Sequence, residues 1–172
     1  MGVLKTAVLG LGPSIQLFEP MGFDTIIGVN DIYRHYPADA VVCLDYPRVF
    51  DPVRLKYITN CNPLKFYSQI VAWDTRPDFE KITLIPGYPD KSLNLDIPGY
   101  WKSYCSPFVA VQIAFKIYGS EEIHLFGVDL TNHPHLDRAI CAKIKIHFRN
   151  LESALAQHGA KMIVHGNGIL TA

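Results

Sequence analysis

Apolar and polar positions along this chain fall into short, repeating blocks. Residues 4–9 form a nearly continuous apolar run that stops at Gly10, the pattern of a sheet strand covered on both faces. Residues 25–29 and 40–44 repeat the pattern and run out into Asn30 and Asp45. Residues 69–73, 82–85, 122–126 and 161–164 are read as four further strands. So many short runs exceed what a small helical fold can hold.

Helical signals alternate with these runs. Ser14 is placed to cap a short helix through Phe18, which Pro20 and Gly22 close. Asp51 followed by Pro52 opens a second helix, with Val53, Tyr57 and Ile58 on its apolar side and Asn60 at its end. Ser106 and Pro107 repeat that start signal. Phe108, Val111, Ala114, Phe115 and Tyr118 then lead to Gly119, a helix apolar on most of its circumference and so central to the fold. Residues 136–157 place Ile140, Ile144, Phe148, Leu151 and Leu155 on one stripe, while Lys143, Arg149 and Glu152 face water. Residues 86–104 are expected to form a long ordered loop, rich in Pro and Gly but studded with Tyr88, Tyr100, Trp101 and Tyr104. A second, polar loop spans residues 129–135. With no repeat and no flexible linker, the expected architecture is one Rossmann-like α/β domain over residues 1–172, a mostly parallel sheet flanked by helices.

Composition narrows the partners. An apolar share of 49% with 19% charged residues removes the disordered classes. Sixteen basic residues balance sixteen acidic ones, so no broad field steers the chain toward nucleic acid or a lipid surface. The first residues read directly into a strand without a secretory leader, and no run reaches the length of a membrane span; both point to a cytoplasmic protein. Cys43, Cys61, Cys105 and Cys141 lack metal-ligand spacing and read as thiols of a reducing compartment.

The chemistry-bearing residues gather where strands end. Gly10-Leu11-Gly12-Pro13-Ser14 follows a buried strand and opens a helix, which suits close approach by a nucleotide-type phosphate. It lacks the third glycine of the dinucleotide fingerprint and has no P-loop lysine, and a purely geometric turn is the competing reading. Asn30 can read a base or a ribose with one donor and one acceptor, and Asp31 or Asp45 can accept from hydroxyls; each is also an ordinary turn former. Gly127 and Asp129 end another strand beside the same crevice. In the loop after it, His133 or His135 can serve as general base or phosphate partner, whereas His124, inside the strand, reads as a packing residue. Pro134 restricts the histidine pair and no distant ligand is evident, so no metal is assigned. Tyr88, Tyr100 and Tyr104 can donate to a leaving phosphate or simply fill the core, Lys102 and Arg76 can add charge, and His165 or Asn167 comes after the last strand in a turn.

Taken in order, Val8 to Ser14, Ile27 to Asn30, Ser106 to Ala114 and Glu122 to Asp129 resemble bacterial sialyltransferases that use a CMP-activated sugar, and the wider set of proteins with that nucleotide-binding core, small bacteriophage proteins among them. The resemblance implies that Gly12, Pro13 and Ser14 meet phosphate and ribose, that Asn30 contacts the nucleotide, that Ser106 opens a helix near it and that Asp129 ends the next strand. It places the catalytic histidine in the region of His133 and His135. Leu11 stands where the family often carries asparagine, and the chain is much shorter than full family members, leaving little room for an acceptor lid.

The function expected from these readings is a metal-independent transferase acting on a nucleotide-activated sugar or related group, with no tightly bound cofactor and CMP-linked donors as the family would imply. His133 or His135 would deprotonate the acceptor, Tyr100 or Tyr104 would stabilise the departing phosphate, and a homodimer would complete the acceptor side. A nucleotide-binding or sequestering protein without turnover is the alternative, and a structural or partner-binding protein that retains only the fold is a third reading. The resemblance to small members points to a bacterium or a bacteriophage-infected cell.

Overall fold

The computed structural model describes residues 2–86, 93–131 and 136–171. In chain order its regular elements are β1 (Lys5–Leu9), β2 (Thr25–Val29), β3 (Ala40–Val42), α1 (Pro52–Thr59), β4 (Lys65–Ser68), β5 (Phe79–Lys81), β6 (Leu84–Pro86), β7 (Trp101–Ser103), α2 (Ser106–Lys116), β8 (Glu122–Phe126), α3 (Arg138–Gln157) and β9 (Lys161–Val164). Seven of the strands form one sheet in the order β5-β4-β3-β2-β1-β8-β9, and every neighbouring pair in it is parallel. The expected Rossmann-like α/β domain is therefore present.

The apolar runs are continuous because both faces of the sheet are covered. Val8, Ile27, Val29, Ile123 and Leu125 pack with Phe108, Ile113, Phe148 and Leu151 of α2 and α3 on one side. Ala7, Leu9, Val41, Phe66 and Phe126 pack on the other with Ile15, Phe18, Ile32, Ile58 and Trp73. The stripe expected on residues 136–157 is the buried face of α3, whose Asp137 caps the helix by accepting from Ile140 N–H at 2.8 Å.

Several boundaries differ from the sequence expectation, each for a local reason. Residues 69–73 are not a strand. The ladder ends one step earlier, at Ser68, whose hydroxyl donates to Cys43 O at 2.5 Å and accepts from Ile70 N–H at 3.0 Å. Residues 71–73 then coil into a 3₁₀ turn that buries Trp73, with its indole N–H on Asp45 O at 3.0 Å. The strand lies instead at Lys65–Ser68. The expected strand over residues 82–85 shifts to Leu84–Pro86 and leaves the main sheet to pair with Trp101–Ser103, so part of the long loop is strand. Phe79–Lys81 is a polar edge strand that apolar patterning does not reveal. Residues 13–17 form a 3₁₀ turn capped by Gly12, and Ser14 is not its cap.

Strand order reverses between β1 and β8, because the chain builds outward from β1 to β5 and then returns to β1's other edge. At such a switch point, loops leave the carboxyl ends of neighbouring strands in opposite directions and open a crevice. The loops there are Gly10–Ser14 and Gly127–Asp129.

Candidate functional site

The floor of the crevice is a set of backbones packed too closely for side chains. Gly10 N–H donates to Phe126 O and Gly12 N–H to Gly127 O, each at 2.7 Å. A methyl group on Gly10 would run into Gly127 O, and one on Gly12 into the Asp129 carboxylate. Gly127 itself has φ 69°, in the left-handed region where a Cβ is disfavoured. The glycines of this turn are thus required by contact between two loops of the same chain.

Polar groups of the turn are also engaged internally. Asp129, 5% exposed, accepts from Ser14 N–H through Oδ2 at 2.9 Å. Ser14 Oγ accepts from Gly127 N–H at 2.8 Å. Gly166 packs on Ser14 and Asp129, and Ile169 N–H donates to Asp129 O at 2.8 Å. The carboxylate that sequence reading set beside a ligand is part of the clamp closing the switch point, and the residue after it, Leu130, is held at φ 55°.

Toward the neighbouring strands the character changes. Asn30, directly after β2, is held at φ 49°, a conformation asparagine tolerates better than most residues. Its backbone N–H donates to Val42 O at 3.1 Å. Its side-chain Oδ1 is buried and meets no donor among the described residues. A buried acceptor left without a partner costs about 1–3 kcal/mol. Asp45 comes after β3 with an exposed side chain, and Ser106 begins α2, which packs against β1 and β2.

Asp31 is spent elsewhere. Its buried carboxylate accepts from Arg54 Nε at 3.0 Å and Nη2 at 2.7 Å, with Arg34 Nη1 at 3.4 Å from its other oxygen. Asp31 therefore locks the corner after β2 onto α1, whereas Asn30 Oδ1 meets no donor among the described residues, a difference that two adjacent turn-forming residues do not announce.

The tyrosines separate. α2 starts at the carboxyl edge and ends at the amino edge of the sheet, where Ser120 meets Thr6 through a hydroxyl pair at 2.5 Å. Tyr100 O accepts from Lys116 Nζ, on the last residue of α2, at 2.6 Å. Tyr104 lies beside the start of α2, its ring stacked on His147 at 3.4 Å between centroids and edge-on to Phe108. His147 sits mid-helix in α3 with no motif around it, so sequence pattern gives no signal for it. Burial, and after it the Lys102 charge, lower its pKa and favour the neutral ring. Lys102 is itself 2% exposed, and its backbone is clamped by Gln112, which donates to Lys102 O at 2.6 Å and accepts from Lys102 N–H at 3.0 Å. His133, His135 and Tyr88 lie outside the described residues.

Other candidate chemistry is silent. Burial pushes the Cys43 and Cys105 thiols up to about 12, so neither is a thiolate near neutrality. Arg76 borders an open hollow with Pro47, Leu55 and Trp73, but its donors go to Asp78, Ile58 O and Cys61 O. Among the described residues no group of three or more His, Cys, Asp or Glu is placed to hold a metal ion, and no helix is long and apolar enough to cross a membrane.

Comparison with solved structures finds the same architecture in the sialyltransferase CstII from Campylobacter jejuni, determined in complex with the substrate analogue CMP-3FNeuAc. The TM-score is 0.55 at 16% sequence identity, over 93% of this chain and 79% of that one. The two chains share a fold. No protein-family model matches the sequence, and no curated protein matches it.

Proposed function

We propose that this protein is a metal-independent transferase for a nucleotide-activated sugar, with the nucleotide lying across the carboxyl edge between Gly12, Asn30, Asp45 and Ser106. The observation that carries this reading is the buried, unpartnered Oδ1 of Asn30, fixed in a left-handed conformation at the mouth of the crevice. A base amino group or a ribose hydroxyl supplies the donor it lacks. The shared fold with a transferase bound to a CMP-linked analogue supports a CMP-type donor. His133 or His135, four and six residues beyond Asp129 in the sequence, is the proposed base that takes the acceptor proton. Tyr100 or Tyr104 is the proposed donor to the leaving phosphate, and the Tyr104 ring packs edge-on to Phe108 in the first turn of α2.

A second reading, nucleotide binding without turnover, draws on a different observation. Asp129 and Gly127 already engage Ser14, so the glycine turn offers the phosphate fewer free donors than its sequence promises.

Both readings predict the behaviour of Asn30→Gly, which keeps the left-handed backbone and removes the orphaned oxygen. Its affinity for CMP, measured by calorimetry in EDTA, is expected to fall at least about tenfold, the equivalent of one lost hydrogen bond to a buried group. Its stability to urea is expected to match or exceed that of the parent. An unchanged CMP affinity would remove Asn30 from the site. Release of CMP from a CMP-sugar in EDTA, lost on combined replacement of His133 and His135 by alanine, separates transfer from binding alone.

A further inference from the structure

Two histidines absent from the proposed site form a pair on the face of the sheet that carries Phe126. His124 of β8 and His165, the residue after β9, place Nδ1 and Nε2 2.9 Å apart. The His165 ring lies flat on Phe126, 4.1 Å between centroids with planes 6° apart, and Phe23 meets the His124 ring edge-on. Aromatic surface and half-burial keep water from competing for the shared hydrogen bond.

Charges around the pair set its proton capacity. From β8, Glu122 Oε2 lies 3.6 Å from His124 Nε2. From β1, Lys5 Nζ lies 3.2 Å from the same carboxylate, and Lys5 N–H donates to Asp24, next to Phe23. From β9, Lys161 pairs in register with Glu122. His124 Nε2 is buried without a hydrogen-bond partner among the described residues. Electrostatics therefore favours the tautomer that turns the Nε2–H of His124 toward Glu122, with His165 Nε2–H donating to His124 Nδ1. One added proton is accommodated, because the bond between the rings is kept and the Glu122 carboxylate stands 3.6 Å from His124 Nε2. A second proton removes the last acceptor and sets two cations at hydrogen-bond distance.

The segment after His165 gives the pair a consequence. Gly166, at φ 94°, turns the chain onto the switch point, where an added methyl would fall 3.0 Å from Ser14 Oγ and 3.1 Å from Asp129 Oδ1. Gly168 then packs on the Asp129 backbone, and Ile169 N–H bonds to Asp129 O. The start of this segment is fixed twice, by the backbone bond from His165 N–H to Leu125 O at 2.9 Å and by the side-chain bond to His124.

We propose that the His124–His165 pair is a proton-sensitive latch: it holds residues 166–171 on the Ser14–Asp129 clamp while at most one proton is bound, and releases them when both rings are charged. The latch itself stands apart from the assigned function; only its effect on the crevice would rest on that reading. Burial, followed by the His124 charge, lowers the His165 pKa. The folded segment thus binds fewer protons than the released one below the ordinary imidazole pKa of about 6.5, and its stability, present above that value, is lost as pH falls.

Native-state hydrogen exchange, without ligand, tests this. In the parent protein the Ile169 amide is expected to lose at least about tenfold in protection between about pH 7 and about pH 5, either side of the ordinary imidazole value, after correction for intrinsic exchange. The Gly10 amide in the sheet should keep its own. In His165→Gln, which retains a donor but does not titrate, that loss should disappear. An equal loss at Ile169 in both proteins, or none in the parent, would overturn the latch. Should His165→Gln fail to fold, imidazole ¹⁵N shifts of the parent decide: titration of His165 below the ordinary imidazole value supports the latch, and titration at that value refutes it.

Discussion

Gly127→Ala is expected to lose about 3–4 kcal/mol of stability or more, enough to leave little folded protein if the parent sits within the usual range of about 5–15 kcal/mol. Two costs combine. The left-handed φ of 69° costs a residue with a Cβ about 1–2 kcal/mol. The new methyl would also meet the Gly10 carbonyl carbon at 2.7 Å and Gly12 N at 3.2 Å, backbone atoms fixed by the hydrogen bonds of the turn. Overpacking against atoms that cannot yield adds about 1–3 kcal/mol. Gly119→Ala is the internal control, because Gly119 has φ 66° but nothing within 4 Å of the position a methyl would take. It should show the conformational cost alone, about 1–2 kcal/mol. Urea unfolding of both variants measures the difference, and equal losses would mean that the two loops at the switch point are not in contact.

Arg54→Met is expected to cost about 3 kcal/mol, the lower end of what breaking a buried ion pair costs, because Arg34 remains near the stranded carboxylate. Asp31 has a side chain 1% exposed and depends on Arg54 for its two short hydrogen bonds. The methionine still packs on Phe50, which the guanidinium now covers at 5.0 Å from the ring centroid, so the loss reports the charge more than the lost contact. Replacing Asp31 by Asn in the same protein should recover part of the loss, since a neutral amide is cheaper to leave buried than a carboxylate. A double variant no more stable than Arg54→Met alone would show that the pair does not carry the corner. Because Asn30 precedes Asp31, the single variant is also expected to weaken nucleotide binding beyond its effect on the folded fraction.

Much of the architecture is legible in the sequence, and the reason is burial. A parallel sheet covered on both faces writes its central strands as unbroken apolar runs, and residues 4–9, 25–29, 40–44 and 122–126 are read correctly to within two residues. Where burial and strand pairing part company the reading fails. Ile70 and Trp73 are buried from a turn, because Ser68 ends the ladder with its own side chain. Phe79–Lys81 pairs at the sheet edge with little apolar content to mark it.

Site residues are harder, because residue type reports capacity and only packing reports use. Asn30 and Asp31 look equivalent in sequence. The fold gives Asp31 two arginines and leaves Asn30 Oδ1 with no partner among the described residues. Gly10 and Gly12 read as room for a phosphate, and the fold also needs them small because a methyl at either would meet Gly127 O or the Asp129 carboxylate. Ser14 reads as a cap, and it instead accepts the Gly127 amide across the switch point, a contact between residues 113 apart in sequence. No local pattern encodes a contact of that span.

The most direct test of the central claim is a titration of ¹⁵N-labelled protein with CMP in the presence of EDTA, monitored through amide chemical shifts. Saturable shifts concentrated at Gly12, Asp45, Ser106 and the Asn30 side-chain amide are the predicted result. No saturable shift, or shifts centred on the hollow beside Trp73 and Arg76, would contradict a nucleotide site at the carboxyl edge of this sheet.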